Sequence, residues 1–323
     1  MGRKVESSDY KFLLPSNIFS IIIIILLLGI FGAYCYFAIY LNIDYVNSFP
    51  MWKIVVIYIA QLFLAFGAFV GIYIGVRFCF VWIYGHLIFR SYTEKLCLLN
   101  NHAKMPEHLP KIILIHCVCN DFSPEQLEQI IQQDYPNFQT VICDDSNDEK
   151  QVAQIDEFAK KHNLQICRRP LEHKMRWKTK AGNVDYYVKQ VMPQDVEFCV
   201  ITESTAVINK DYISKNVRFF YTDVPNLAIV FDNYIDYNTE YFFSNALSYE
   251  TYFAQSFSFM EYKMNTPLGI IGYAYMIRAK DLREIDINVT SCVIDDTALT
   301  IYYFRQNKTM IHSTLSYSAK MKP

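Results

Sequence analysis

Two adjacent carboxylates, Asp295 and Asp296, follow an apolar run and precede a predicted helix over residues 297–304. A helix N-terminus stabilises negative charge, and the helix that follows holds the side chain in place. A carboxylate held in this way can act as a general base that removes a proton from a hydroxyl. The same pattern is typical of an aspartate that caps a surface helix. On these residues alone, both interpretations stay open.

Further polar side chains follow predicted strands earlier in the chain. In a parallel sheet, ligands bind beyond the carboxyl ends of the strands, so such side chains are candidates for a binding site. They are Asn120 and Asp121 after the strand predicted at 111–119, and Asp144 and Asp145 after the strand predicted at 139–143.

A basic segment, Lys180-Ala181-Gly182-Asn183, precedes a helix predicted over 184–191. A cation beside a glycine at the start of a helix suits a phosphate group, because backbone N–H groups and the ammonium can both donate to it. A solvated basic turn is the alternative, and the segment alone does not decide between the two.

The elements that must position these residues alternate between strand and helix. This alternation predicts an α/β domain with a mixed, mostly parallel sheet. Apolar runs predict strands at 111–119, 139–143, 164–167, 197–201, 226–231 and 274–277, and helical patterns are found after 124, over 151–162 and over 278–285.

Composition narrows the functional classes. The formal net charge is −2, so no basic field indicates a nucleic-acid partner. The sequence contains no glycine-rich phosphate loop and no paired-histidine metal motif. Its nine cysteines include no Cys-x-x-Cys pair, which favours free thiols in a reducing compartment.

Two uncharged segments, 18–41 and 54–76, are each long enough to cross the hydrocarbon of a bilayer, about 30 Å. The apolar pattern continues to residue 89, either prolonging the second helix or lying along the interface. Basic residues before the first and after the second segment predict that both termini are cytoplasmic in a multi-pass protein of the cell membrane. The predicted organisation is a cytoplasmic segment 1–17, a transmembrane hairpin 18–95, a linker 96–110 and a cytoplasmic domain 111–323.

The order of the polar motifs resembles the inverting family-2 glycosyltransferases, specifically the membrane-bound cellulose synthase-like branch. The resemblance covers about residues 111–323. The matching segments, in order, are Asn120-Asp121, Asp134-Tyr135-Pro136, Asp144-Asp145-Ser146, Arg169-Pro170, Lys180-Ala181-Gly182-Asn183 and Ile294-Asp295-Asp296.

This resemblance implies a GT-A fold and a nucleotide-diphospho-sugar donor, usually a UDP-sugar, with Mg²⁺ or Mn²⁺ on the diphosphate. It also implies transfer with inversion to a polysaccharide or glycolipid acceptor, with Asp296 as the catalytic base and Asp295 beside it. The residues that it assigns to the nucleotide sugar are Asn120, Asp121, Asp144, Asp145, Lys180 and Asn183.

The sequence departs from the family where an Asp-x-Asp motif holds the metal ion. Thr202, Glu203 and Ser204 occupy this position, and neutral hydroxyls are poorer ligands for a hard cation than carboxylates. In an extended segment Glu203 points away from its two neighbours, so it reaches the metal position only if the loop shifts by one residue.

The second departure is that the family continues to a Gln-x-x-Arg-Trp motif and more transmembrane helices, which this sequence lacks. Two hypotheses follow. The protein is an active membrane-anchored glycosyltransferase, or it is a catalytically impaired pseudoenzyme or half of a split synthase that pairs with a second membrane subunit.

Overall fold

The computed structural model describes residues 25, 26, 29, 31–33, 36, 49–176, 179–236, 273–286 and 295–320. The chain divides into two compact units. The first comprises residues 1–87 and 259–266, and the second comprises residues 88–258 and 267–323.

The long helix α1, Met51–Asn101, provides most of the described part of the first unit. Its segment Met51–Tyr73 has a mean hydropathy of 2.3 and is, among the described residues, the one segment long and apolar enough to cross a membrane. The apolar side chains Phe63 and Leu64 of this segment are 72% and 70% exposed.

Most of the predicted span 18–41 lies outside the described residues. Positions 25, 26, 29, 31–33 and 36 are helical. The ring of Phe31 meets that of Phe69 edge to face at 5.8 Å, so two apolar segments contact each other in this unit. The two-span hairpin stays a prediction.

The predicted linker 96–110 is helical up to Asn101, because both Leu96 and Asn100 are buried against the second unit's own elements. The Asn100 amide donates to the carbonyl of Lys215 at 2.7 Å, and Arg218 donates to the carbonyl of Asn100 at 3.1 Å. Tertiary contacts of this kind stabilise a helix beyond the point where its polar composition predicts an end.

The second unit contains an eight-stranded sheet in the order β3-β2-β1-β4-β7-β6-β8-β5. Strands β3, β2, β1 and β4 are parallel, β7 is antiparallel to both of its neighbours, β6 and β8 are parallel, and β5 is antiparallel to β8. The predicted mixed, mostly parallel α/β sheet is therefore confirmed. The strands are β1 Ile112–Val118, β2 Phe138–Asp144, β3 Gln165–Cys167, β4 Phe198–Glu203, β5 Ala206–Ile208, β6 Leu227–Asp236, β7 Ala274–Arg278 and β8 Thr309–Lys320.

Short helices connect and cover the strands. Two starts follow directly from sequence: Pro124 occupies the first turn of its helix, and the Asp148 carboxylate caps the next helix by accepting from Lys150 N–H at 2.9 Å. The helices are α2 Pro124–Ile130, α3 Glu149–His162, α4 Leu171–Arg176, α5 Lys180–Tyr186, α6 Tyr212–Phe219, α7 Ala279–Glu284 and α8 Asp295–Arg305, and a π-helical turn, Tyr187–Val191, follows α5.

The register of the parallel strands decides which side chains share a face of the sheet. Cys117 pairs with Cys143 on one side and with Glu203 on the other, so these three side chains lie on one face. His116 pairs with Thr202 and lies on the opposite face. Both faces of β1 are buried, which explains its continuous apolar sequence.

The burial of His116 should make the free energy of unfolding depend on pH. His116 is fully buried beside the Thr202 hydroxyl, Nδ1 to Oγ1 3.0 Å, and burial lowers its pKa to about 4. Because the unfolded chain binds the proton more tightly, stability should fall as the pH drops from 6.5 towards 4, by about 2 kcal/mol between pH 7 and pH 5. Thermal unfolding of the wild type and of His116→Gln over this range tests it. Equal pH slopes for the two proteins would contradict the expectation.

Candidate functional site

The carboxyl ends of β1, β2 and β4 meet at one edge of the parallel half of the sheet, because these strands run in the same direction and in register. Asp121 follows β1, Asp144 and Asp145 end and follow β2, and Glu203 ends β4. This edge is where side chains of an α/β sheet bind ligands.

Asn120 shapes the turn after β1. Its backbone is left-handed, with φ 60°, a conformation that asparagine tolerates better than most residues. Its side-chain Oδ1 accepts from the N–H groups of Asn147 and Asp148 at 2.8 and 2.9 Å, and its own N–H donates to the Ser146 hydroxyl at 3.0 Å. These hydrogen bonds of Asn120 therefore connect the carboxyl end of β1 to the segment that follows β2.

Asp144 is oriented inwards and is 3% exposed. Its Oδ2 accepts from Arg168 Nε at 2.7 Å, and Arg168 also donates to Asp156 on α3 at 2.8 Å. Its Oδ1 accepts from the N–H of Ser146 at 2.8 Å. Because both oxygens are bound in this way, Asp144 holds the end of β2 against α3.

Asp145 is bound by two cations. Arg169 donates from Nε and Nη2 to the two carboxylate oxygens at 2.9 and 2.5 Å, and the Arg169 side chain is 1% exposed. Lys174 on α4 donates to the carbonyl of Asp145. Arg169 was predicted only as part of a motif and Lys174 was not predicted, although a cluster of basic residues after a predicted strand was the available signal.

Lys180 and Glu203 form an ion pair at the same edge, Nζ to Oε1 2.7 Å, with side chains 18% and 32% exposed. The helix α5 begins at Lys180, earlier than predicted, because the Thr179 hydroxyl caps it by accepting from Gly182 N–H at 3.3 Å. Arg169 Nη2 also donates to the Thr179 carbonyl at 3.4 Å, which links the pair to Asp145.

Asn183 does not face solvent at this edge. It is 2% exposed, and its amide donates to the carbonyl of Cys143 at 2.9 Å. Asn183 therefore positions the residues that precede Asp144 and Asp145, and its contact with the nucleotide sugar stays a prediction.

The two hydroxyl residues of the triplet 202–204 are engaged within the protein. Thr202 is fully buried and bonded to His116, because its register on β4 directs it into the core. Ser204 is 3% exposed and donates to the Asp121 carboxylate, whose other oxygen accepts from Cys119 N–H at 2.8 Å.

These residues do not fit the divalent cation that the resemblance implies. Within the described part of the chain, no group of three or more histidine, cysteine, aspartate or glutamate side chains is placed to hold a metal ion. Thr202 cannot reach the edge, and the Glu203 carboxylate accepts from an ammonium. A divalent cation in a nucleotide site needs one or two carboxylates beside the substrate phosphates and waters, and the one carboxylate of this triplet is already paired with Lys180.

Two other titratable groups at this edge are neutral near pH 7. Burial, followed by the charge of Asp145, raises the pKa of the Cys119 thiol. Burial and the nearby Arg169 guanidinium lower the pKa of His173. The charge at the edge therefore comes from the carboxylates and from the arginine and lysine side chains.

Asp296 lies in the first turn of α8 and is half-buried. Its Oδ1 accepts from Thr297 N–H at 2.7 Å, and its carbonyl accepts from the Thr300 hydroxyl at 2.9 Å, so it also acts as a helix-terminal residue. Leu299, one turn along, lines a cavity of about 30 Å³ together with Ala181 of α5, so α8 and α5 flank a common space. The side chain of Asp295 lies outside the described residues.

No protein-family model and no curated relative matches the chain. Similar solved structures exist. The mannosyltransferase PcManGT from Pyrobaculum calidifontis, in complex with GDP-Man and Mn²⁺, has a TM-score of 0.49 and 16% identity over 77% of this chain and 68% of that chain. S. aureus TarS 1–349, in complex with UDP-GlcNAc, has a TM-score of 0.43 and 17% identity over 66% of this chain and 59% of that chain.

The sheet described above is the mixed, mostly parallel α/β sheet that the sequence predicts, and the GT-A fold implied by the resemblance stays a prediction, because these TM-scores lie below 0.5. The chain spans 59% of TarS 1–349 and 37% of the longer S. aureus TarS structure. At identities of 15–17% the similarity concerns the fold and assigns no ligand or metal to this chain.

Proposed function

We propose that the protein is a membrane-anchored glycosyltransferase that uses a nucleotide-diphospho-sugar and transfers the sugar to a polysaccharide or glycolipid with inversion. One observation carries the proposal. The ion pairs Asp145–Arg169 and Lys180–Glu203 lie at the carboxyl ends of parallel strands and are linked by the contact of Arg169 with the Thr179 carbonyl, and Asp145, Arg169 and Lys180 come from segments that match the family's motifs.

The reaction needs a base and a stabilised leaving group. An acceptor hydroxyl attacks the anomeric carbon while the bond from that carbon to the diphosphate oxygen breaks, and the electron pair leaves with the nucleoside diphosphate. Asp296, in the first turn of α8, takes the hydroxyl proton. The Lys180 ammonium at the strand edge offsets the negative charge that develops on the diphosphate.

The membrane is part of the proposal. Helix α1 contains the apolar segment Met51–Tyr73, and the basic residues Arg77, Arg90 and Lys95 follow it. By the positive-inside rule these residues favour a cytoplasmic second unit, where nucleotide sugars are made available. Both termini are cytoplasmic in the proposed topology because segment 18–41 forms the other half of the hairpin. A lipid-linked or growing polysaccharide acceptor would then be within reach of the anchored domain.

The test is release of nucleoside diphosphate by the purified full chain in detergent or lipid nanodiscs. The donor panel contains UDP-glucose, UDP-galactose, UDP-GlcNAc and GDP-mannose, each assayed with Mn²⁺ and with EDTA in the presence of a membrane lipid extract as acceptor. Release above the rate of an Asp296→Asn protein supports the proposal. Equal rates for both proteins with every donor would contradict it.

A pseudoenzyme that pairs with a second membrane subunit is the second candidate. The triplet 202–204 favours it, because Thr202 and Ser204 are both engaged inside the protein and provide no metal ligand. Nucleotide binding without release from any donor, together with co-purification of a membrane protein of the same family, is the result expected for this candidate.

A further inference from the structure

We propose that Lys180, positioned by Glu203, neutralises the donor diphosphate in this protein, so that nucleotide binding needs no divalent cation. The inference rests on the proposed function and concerns the same edge of the sheet. It assigns to Glu203 the role of a positioning residue for Lys180, in place of the metal ligand that the sequence left as a candidate.

The first step is that the triplet 202–204 offers too few ligands for a cation. In nucleotide sites a divalent ion is bound by one or two carboxylates together with waters and the substrate phosphates. The Thr202 hydroxyl lies in the core, 3.0 Å from His116, and the Ser204 hydroxyl donates to Asp121. Glu203 is then the one carboxylate that the triplet could offer.

The second step is that Glu203 already binds a cation of the protein itself. The ammonium of Lys180 is 2.7 Å from Glu203 Oε1, and the pair is mostly shielded from solvent. A metal ion on Glu203 would lie beside this ammonium, so it would meet a like charge and break the ion pair. A second positive centre at this point is therefore disfavoured.

The third step is that Lys180 is held in a position suited to phosphate. Its backbone is fixed as the first residue of α5 by the Thr179 cap, and Thr179 in turn accepts from Arg169. The ammonium donates to Glu203 Oε1 at 2.7 Å. The ion pair thus orients the cation and keeps the side chain at the edge of the sheet before a ligand arrives.

Calorimetric titration of the full chain with UDP and with GDP, in EDTA and in Mn²⁺, tests the inference. For the nucleotide that binds, we expect Kd values in the two buffers to agree within about twofold. Lys180→Met should weaken binding about 10- to 100-fold, the range for a lost charged hydrogen bond, and Lys180→Arg should restore most of it. Uridine or guanosine, which carry no diphosphate, should bind the wild type and Lys180→Met equally.

Glu203→Gln separates the two roles of Glu203. As a positioning residue, its replacement should change nucleotide binding in EDTA by no more than about threefold and leave the Mn²⁺ and EDTA values equal, because the ammonium remains. If Glu203 were a metal ligand, the wild type would bind more tightly in Mn²⁺ and Glu203→Gln would lose that difference. That result overturns the inference.

Failure of the inference differs from failure of the proposed function. Binding or nucleotide release that requires Mn²⁺ overturns metal independence and leaves the glycosyltransferase proposal in place. Absence of nucleoside diphosphate binding in both buffers, for a protein whose thermal unfolding is cooperative, overturns both. Tight binding in EDTA that is equal in the wild type and Lys180→Met overturns the role of Lys180.

Discussion

Replacing Asp296 by asparagine should lower the rate of sugar transfer by a factor of about 10² to 10⁴, the usual contribution of a general base. Asparagine has nearly the same shape and can still accept the Thr297 N–H at the start of α8, so the helix should form as before. It cannot take a proton from an acceptor hydroxyl. The measurement is the initial rate of nucleoside diphosphate release, with the donor that the panel identifies.

The control for this substitution is Asp195→Asn, which makes the same chemical change at the opposite ends of the strands. Asp195 is exposed and pairs with Lys111 at 2.9 Å, just before β1 and β4 begin. Its replacement should leave the transfer rate within about twofold, because a surface ion pair contributes little even to stability. A full wild-type rate for Asp296→Asn would remove Asp296 as the base.

Replacing Arg169 by methionine should destabilise the second unit by about 3 to 5 kcal/mol, because it leaves the mostly buried Asp145 carboxylate without its guanidinium. For a domain of this size, such a change should lower the unfolding temperature by roughly 10 °C. Scanning calorimetry or near-ultraviolet circular dichroism of the full chain in detergent measures it.

Two further variants test whether the loss of stability in Arg169→Met comes from the unpaired Asp145 carboxylate. Lys111→Met breaks the exposed pair with Asp195 and should cost less than about 1 kcal/mol. The double variant Arg169→Met with Asp145→Asn also removes the unpaired carboxylate charge of Asp145, so it should recover part of the lost stability. If Arg169→Met unfolded at the wild-type temperature, the guanidinium would not be the group that holds Asp145.

The parallel half of the sheet could be predicted because each strand there is a short apolar run that ends at polar residues. The other half, in which parallel and antiparallel pairs are mixed, was harder to predict. Strand β8, Thr309–Lys320, alternates polar and apolar residues and was not predicted, and neither were β5 and α6. The position of β8 depends on pairing with β6 and β5, which are far away in sequence. A local sequence pattern does not specify such pairing partners.

In the site, too, features set by neighbouring residues could be predicted, and features set by contacts between distant segments could not. Asp121, Asp145 and Lys180 were predicted at the edge of the sheet, since each directly follows a strand or opens a helix. The inward direction of Thr202 was not predicted, because it depends on the register that places Thr202 beside His116. Likewise, the Lys180–Glu203 contact depends on how α5 lies over the strand ends, which no spacing along the chain specifies.

The sheet position of β8 has a consequence for how the protein is made. Ala206 pairs with Lys320, so strand β5 cannot pair with β8 until more than a hundred further residues have been synthesised. During translation, β6 likewise lacks the neighbour that separates it from β5. Nascent chains that end before Thr309 should therefore expose an unpaired strand edge to chaperones, and the domain should reach a protease-resistant state only after β8 has emerged.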